Sequence, residues 1–200
     1  MRASHRPQYG TIHADWLSPD LDRRIAGGKR QPLARALGLH KQKKLRILDA
    51  TGGLGRDAWT LAALGATVVL IERHPMIFQL LEDAHSRAVA AQVEAANRIA
   101  LIHADTLDWF KSDHERAYDV ICLDPMYPDD RKTALPSKEM QILRELTGGD
   151  TDADTLLHAA RTTDKRVVVK RPHHAPPLAG AQPDAAIQST QLRFDLYLPQ

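Results

Sequence analysis

The sequence predicts an α/β fold: a mostly parallel, doubly wound sheet closed by an antiparallel C-terminal strand or hairpin. Three observations carry that expectation. Short apolar runs rich in β-branched residues alternate with helical stretches along most of the chain. Those runs lack polar alternation, as expected of strands covered on both faces. The tail, Ala186–Leu198, changes pattern, with apolar residues at Leu192, Phe194, Leu196 and Leu198.

Taken in order, residues 1–30 read as an irregular N-terminal extension, punctuated by Pro7, Pro19 and Gly27-Gly28, and residues 31–200 as the domain. Pro32 can open a helix and Gly38 can close it. Leu45–Ala50 is a strand, Asp57–Leu64 a helix stopped by Gly65, and Thr67–Ile71 a second strand. An alanine-rich helical stretch follows from Pro75 to about Ala96. Ile99–His103, Val120–Leu123 and Val167–Val169 read as further strands. Asp129 to Asp164 shows no clear strand and reads as a loop followed by one or two helices. Insertions after a strand's carboxyl end are where such sheets hold substrate.

At 200 residues and 43% apolar content, the chain is enough for one domain with a sizeable core. No apolar run approaches the roughly 18 residues of a membrane span, and Met1–Gly10 lacks the apolar centre of a signal peptide. The single cysteine, Cys122, lies within an apolar run and reads as a core residue of a cytoplasmic protein. His173-His174 has no supporting ligands at metal-site spacing, so no metal is expected. The net charge of +2 is small, and its distribution says more. Basic residues gather at Arg23, Arg24, Lys29 and Arg30, at Lys41, Lys43 and Lys44, and at Lys165, Arg166, Lys170 and Arg171. Such patches either track phosphates or form solvated surface. Aromatic content of 5% argues against a surface of stacking platforms.

The run Asp49-Ala-Thr-Gly-Gly53-Leu-Gly55-Arg56-Asp57 joins a strand to a helix through a glycine turn that lets a ligand approach the backbone. Gly53, Gly55 and Ala58 also satisfy a dinucleotide pattern, which keeps a dehydrogenase open. Asp57 argues otherwise, because a carboxylate in the first helical turn repels a pyrophosphate. A sulfonium cofactor, S-adenosyl-L-methionine, has no phosphate, and its ammonium group suits the acids Asp49 and Asp57. The alternative is that these two acids only cap the turn and the helix. Glu72, ending the second strand, can accept ribose hydroxyls of either cofactor. Arg73 can lie on an adenine face or pair with a carboxylate. Asp105 and Thr106 follow the third strand, in position for an adenine amino group or as plain loop residues.

The fourth strand ends in Asp124-Pro125-Met126-Tyr127-Pro128. This resembles the D/N-P-P-Y/F motif of methyltransferases that modify amino groups conjugated to a planar ring. Such an amine is a poor nucleophile because its lone pair is delocalised. The Asp124 carboxylate and Pro125 carbonyl can accept its two N–H groups and localise that pair, while Tyr127 can stack on the flipped base. Lys170 and Arg171 end the fifth strand on the same edge and, with Lys29 and Arg30, are the candidates for RNA contact.

With these motifs in place, the chain resembles the ribosomal RNA small subunit methyltransferase J family, over roughly residues 17 to 198. The matching stretches include Gly27–Arg30, Asp49–Ala58, Ile71–Arg73, Leu101–Ala104, Leu123–Pro128, Lys138–Met140, Asp152–Asp154, Lys165–Pro172, Ala175–Gly180 and Arg193–Asp195. The resemblance implies a Rossmann-like class I fold and methyl transfer from S-adenosylmethionine to N2 of a guanine near the 3′ end of 16S rRNA, in free RNA or the small subunit. It also implies cofactor contacts at Arg56, Asp57, Glu72, Arg73, Asp105, Thr106 and Asp124. Gly52 stands where alanine is common in the family, Asp105-Thr106 where two serines are, and Tyr127 where phenylalanine is frequent. The family also carries a longer N-terminal region, leaving open what that region does for substrate. An N6-adenine methyltransferase acting on DNA or RNA is the rival reading, and a non-catalytic RNA-binding chain on the same fold is a second.

Overall fold

A computed structural model describes residues 12–42, 44–112, 117–126 and 150–199. Tyr127, Lys43 and the Lys138–Met140 match lie outside them. The described elements run α1 (Pro19–Ala26), α2 (Pro32–Leu37), β1 (Arg46–Asp49), α3 (Arg56–Ala63), β2 (Thr67–Glu72) and α4 (Pro75–Ala90). They continue with β3 (Ile99–His103), α5 (Thr106–Lys111), β4 (Val120–Leu123), α6 (Ala153–Arg161), β5 (Arg166–Pro172), β6 (Ala185–Gln188) and β7 (Leu192–Tyr197).

The seven strands form one sheet in the order β3-β2-β1-β4-β5-β7-β6. The first five are parallel, and β7 is antiparallel to both its neighbours. The predicted sheet and closing hairpin are therefore present. Successive side chains of a strand point to opposite faces. Ile47, Val68, Leu70, Val120, Cys122 and Val168 enter a core cluster shared with α1–α4. Leu48, Ile121, Leu123, Val167 and Val169 enter the opposite cluster, with Phe110 of α5 and Leu156, Leu157 and Ala160 of α6. Two covered faces explain why β4 is buried along its whole length.

Two elements differ from the sequence reading. The region expected to be irregular contains α1, because Pro19 sits at its first turn, where the missing N–H costs nothing. Asp20 and Asp22 lie at its start and Arg23 and Arg24 at its end, which suits the helix dipole. Leu21 is fully buried, and Trp16 stacks on Trp59 of α3 at 5.2 Å while donating to the Leu54 carbonyl at 3.0 Å. The helix after Pro75 stops at Ala90, and Gln92 turns left-handed before a 3-10 segment at Glu94–Arg98. Among the described residues, no helix is long and apolar enough to cross a membrane.

Gly55 illustrates how tightly the turn is packed. Its φ of +70° is left-handed, and a Cβ there would lie 2.8 Å from Trp16 Cζ2 and 2.9 Å from Leu81 Cδ2. Backbone strain and overpacking together give an expected loss of about 2–4 kcal/mol for Gly55→Ala. A chemical denaturation curve will measure it, and a variant as stable as the parent would contradict this packing.

Candidate functional site

The strand order reverses between β1 and β4, which opens a crevice at the carboxyl ends of the parallel strands. There lies a cavity of about 560 Å³. The glycine turn Asp49–Asp57 borders it, with Glu72 and Arg73 ending β2, Asp105 and Thr106 following β3, and Asp124 following β4. Ten scattered expectations therefore meet at one place: Asp49, Gly53, Gly55, Arg56, Asp57, Glu72, Arg73, Asp105, Thr106 and Asp124 all line it.

Asp49 is buried, and its carboxylate accepts from the Thr51 amide at 3.3 Å. Burial first, then the neighbouring Asp57 and Asp124 charges, pushes its pKa up to about 8. A carboxylate so placed calls for a cation. Glu72 accepts from the Gly53 amide at 2.8 Å and the His74 amide at 2.7 Å, so both oxygens are fixed in orientation. Burial raises its pKa despite these bonds. The Asp124 amide donates to Thr51 Oγ1 at 2.7 Å, which ties the β4 turn to the glycine turn. Pro125 is buried. The Met126 amide donates to Asp150 at 2.6 Å.

Several of these side chains have partners within the protein. Asp57 is held by Arg24 of α1 and, at 3.1 Å, by Lys170 of β5. These two cations outweigh its burial and hold its pKa down at about 2. Its charge is thus already neutralised within the protein. Thr106 donates to the Ala50 carbonyl at 2.8 Å, and Asp105 caps α5 by accepting from the Leu107 amide at 2.8 Å. Arg56 pairs with Asp20 of α1. Of the two roles considered for Arg73, the structure shows ion pairing, with Asp152 at 2.5 Å, Asp150 at 2.8 Å and Asp105 at 3.8 Å.

Two of the residues expected to contact RNA have partners within the protein. Arg171 shares the β5 face of Val167 and Val169, is buried, and donates to the Pro176 carbonyl at 2.8 Å. Lys170 points to the other face and lies inside the crevice, 2.7 Å from Asp124 Oδ2. Strand alternation sends one to each side of the sheet. Lys29 and Arg30 sit in a short 3-10 turn, with Arg30 exposed. Among the described residues, no three His, Cys, Asp or Glu side chains gather as metal ligands.

Sequence reasoning missed Asp20, Arg24 and Asp150 as parts of the site. In the sequence Arg24 is only one of a basic group, and nothing local marks its partner. Asp152 had a signal, since it belongs to one of the stretches shared with the family.

The donor set fits a cationic nucleoside. A buried, cation-seeking Asp49 stands at one side of the cavity and a fixed, accepting Glu72 at another, and among the described residues the lining cations Arg24, Arg56, Arg73 and Lys170 are each paired with an acid. A family model described as "Putative SAM-dependent methyltransferase" matches residues 1–199. The Ribosomal RNA small subunit methyltransferase J of Photorhabdus laumondii is 42% identical, over 98% of this chain and 82% of its own length. That of Hydrogenovibrio crunogenus is 46% identical, over 96% and 71%. A SAM-dependent methyltransferase of Neisseria gonorrhoeae has a crystal structure that superposes with a TM-score of 0.73 at 33% identity, covering 99% of this chain and 78% of that one. S-adenosylmethionine is the cofactor, and the chain belongs to the ribosomal RNA small subunit methyltransferase J family of SAM-dependent methyltransferases.

Proposed function

We propose that this protein methylates the exocyclic N2 amine of a guanine near the 3′ end of 16S rRNA, in the cytoplasm. The carrying observation is that the Asp124-Pro125 turn opens on the same cavity as the glycine turn, with the Asp124 amide bound to Thr51. The names of the relatives favour a small-subunit rRNA substrate.

When bound, S-adenosylmethionine supplies an electrophilic methyl group whose carbon–sulfur electron pair departs with sulfur as the nitrogen–carbon bond forms. Asp49 would balance the cofactor's ammonium charge, Glu72 would receive the ribose hydroxyls, and Asp105 would serve the adenine. Asp124 accepts one N–H of the base amine and the Pro125 carbonyl the other, which localises the nitrogen lone pair towards the methyl carbon. One proton then leaves the methylated nitrogen, with the Asp124 carboxylate as acceptor. Tyr127 supplies the stacking face, and Lys29 and Arg30 contact phosphate. Catalysis rests on alignment and fixed charge.

The test is methylation of small subunits, and of their extracted RNA, from cells lacking the gene, followed by mass spectrometry of the RNA. One new N2-methylguanine near the 3′ end is expected. N6-methyladenine instead would establish the rival chemistry, and no transfer to either RNA would remove the reading.

A further inference from the structure

Four charged side chains alternate in sign through the crevice, and three separate elements besides the β4 turn supply them. Arg24 of α1 pairs with Asp57 of α3. The other Asp57 oxygen lies 3.1 Å from Lys170 Nζ of β5, and the same Nζ lies 2.7 Å from Asp124 Oδ2. The sheet register makes this meeting unavoidable. Leu123 stands beside Val169, so Asp124, the first residue beyond β4, comes level with Lys170, which is still paired with Phe194 of β7. The Lys170 side chain is 19% exposed and that of Asp57 11%, so bulk solvent screens this central pair little. Among the described residues, Lys170 is the hydrogen-bond donor to the Asp124 carboxylate.

We propose that Lys170 is a positioning residue for methyl transfer, holding Asp124 in its accepting, ionised form and anchored through Asp57 to Arg24 of α1. This rests on the role given to Asp124 above. Lys170 bonds one Asp124 oxygen and so orients the carboxylate for the amine. Its charge also offsets a crowd of acids, since Asp49 of β1 and Asp57 of α3 face the same space, beside the Cys122 thiol of β4. Partial desolvation within the crevice raises the Asp124 carboxyl above the ordinary range, and Asp57 adds to this, while Lys170 and the more distant Arg24 oppose it. Burial pulls the Lys170 ammonium down, but Asp124 and Asp57 more than offset that and keep it charged. The helix preceding the sheet is thereby part of the reaction machinery, because Arg24 shares Asp57 with Lys170 and leaves the lysine available to Asp124.

Lys170→Met and Lys170→Arg separate positioning from mere packing. The first reading needs no cofactor: carbon-13 NMR titration of aspartate carboxyls, with the Asp124 signal assigned by its loss in Asp124→Asn. Asp124 is expected to titrate about one pH unit or more higher in Lys170→Met and to return towards the parent value in Lys170→Arg. The second is the pH profile of single-turnover methyl transfer. An ionised acceptor makes the rate rise with pH, so a higher Asp124 value moves the acidic limb upward, with about tenfold less rate per unit below it. A purely structural lysine would lower the rate without moving the limb. Arg24→Gln, at the far end of the chain of charges, should move Asp124 in the same direction by less, and it carries the test if Lys170→Met does not fold. An Asp124 titration unchanged in the folded variant overturns the proposal. Parent protein that transfers no methyl group to RNA overturns the proposed function instead, and the cofactor-free titration still decides the role of Lys170.

Discussion

Asp124→Ala is expected to lower single-turnover methyl transfer by about a thousandfold while leaving the melting temperature nearly unchanged. In the proposed mechanism the rate loss follows from removing the acceptor that localises the amine lone pair. The preserved fold follows from the position of Asp124, whose side chain is 42% exposed at the edge of the crevice. Its backbone amide keeps the bond to Thr51, and Lys170 keeps its pairing with Asp57. Rates with isotopically labelled cofactor, read beside thermal unfolding curves, provide the check. Unchanged turnover would remove Asp124 from the chemistry, and a collapse of stability would make it a structural residue.

The second large effect is on cofactor binding and its pH dependence. Free Asp49 has a pKa of about 8, and a bound cation favours its carboxylate over its neutral form. Its value is therefore lower in the complex than in the free protein, and binding below that pH releases a proton. Affinity should rise with pH, by about tenfold per unit at most, and level off once free Asp49 is ionised. Calorimetry at neutral pH in two buffers of different ionisation enthalpy will count the proton. Glu72 and Asp124 are also raised, so Asp49→Asn is the control that isolates the group. It should bind more weakly and flatten the dependence. 5′-Methylthioadenosine lacks the ammonium group and should show little of it. An affinity independent of pH would mean that Asp49 does not meet the cofactor's charge.

Both predictions concern residues legible in the sequence, and the reason is that their signals are local. A glycine turn after an apolar strand needs positive φ at fixed positions, and Gly53 and Gly55 provide it. The Asp-Pro turn after the fourth strand is equally local. Once the strands are ordered as a doubly wound sheet, β1 and β4 must be neighbours, so the two turns share a crevice. The alternation in the tail likewise foretold the antiparallel β7.

The partners of these residues were not legible, because pairing between distant charges leaves no local trace. Asp57 and Lys170 are 113 residues apart, and Asp124 and Lys170 are 46 apart. From sequence, Lys170-Arg171 at the end of a strand looks like one basic patch for phosphate. In the fold, alternation splits it, sending Arg171 to the Pro176 carbonyl and Lys170 to the acids. Asp57 likewise reads as an acid awaiting the cofactor, yet Arg24 and Lys170 already hold it. Pro19 looked like punctuation and opens a helix, whose Arg24 reaches the site.

The sequence by itself determined the doubly wound sheet, its antiparallel closure, the glycine turn and the Asp-Pro turn. Each is written in the spacing of neighbouring residues and in the conformations that glycine and proline allow. Only the tertiary structure decided which charges neutralise one another and which acid is left wanting a cation. Those outcomes depend on strand register and on burial, which exist only once segments far apart in the chain have packed together.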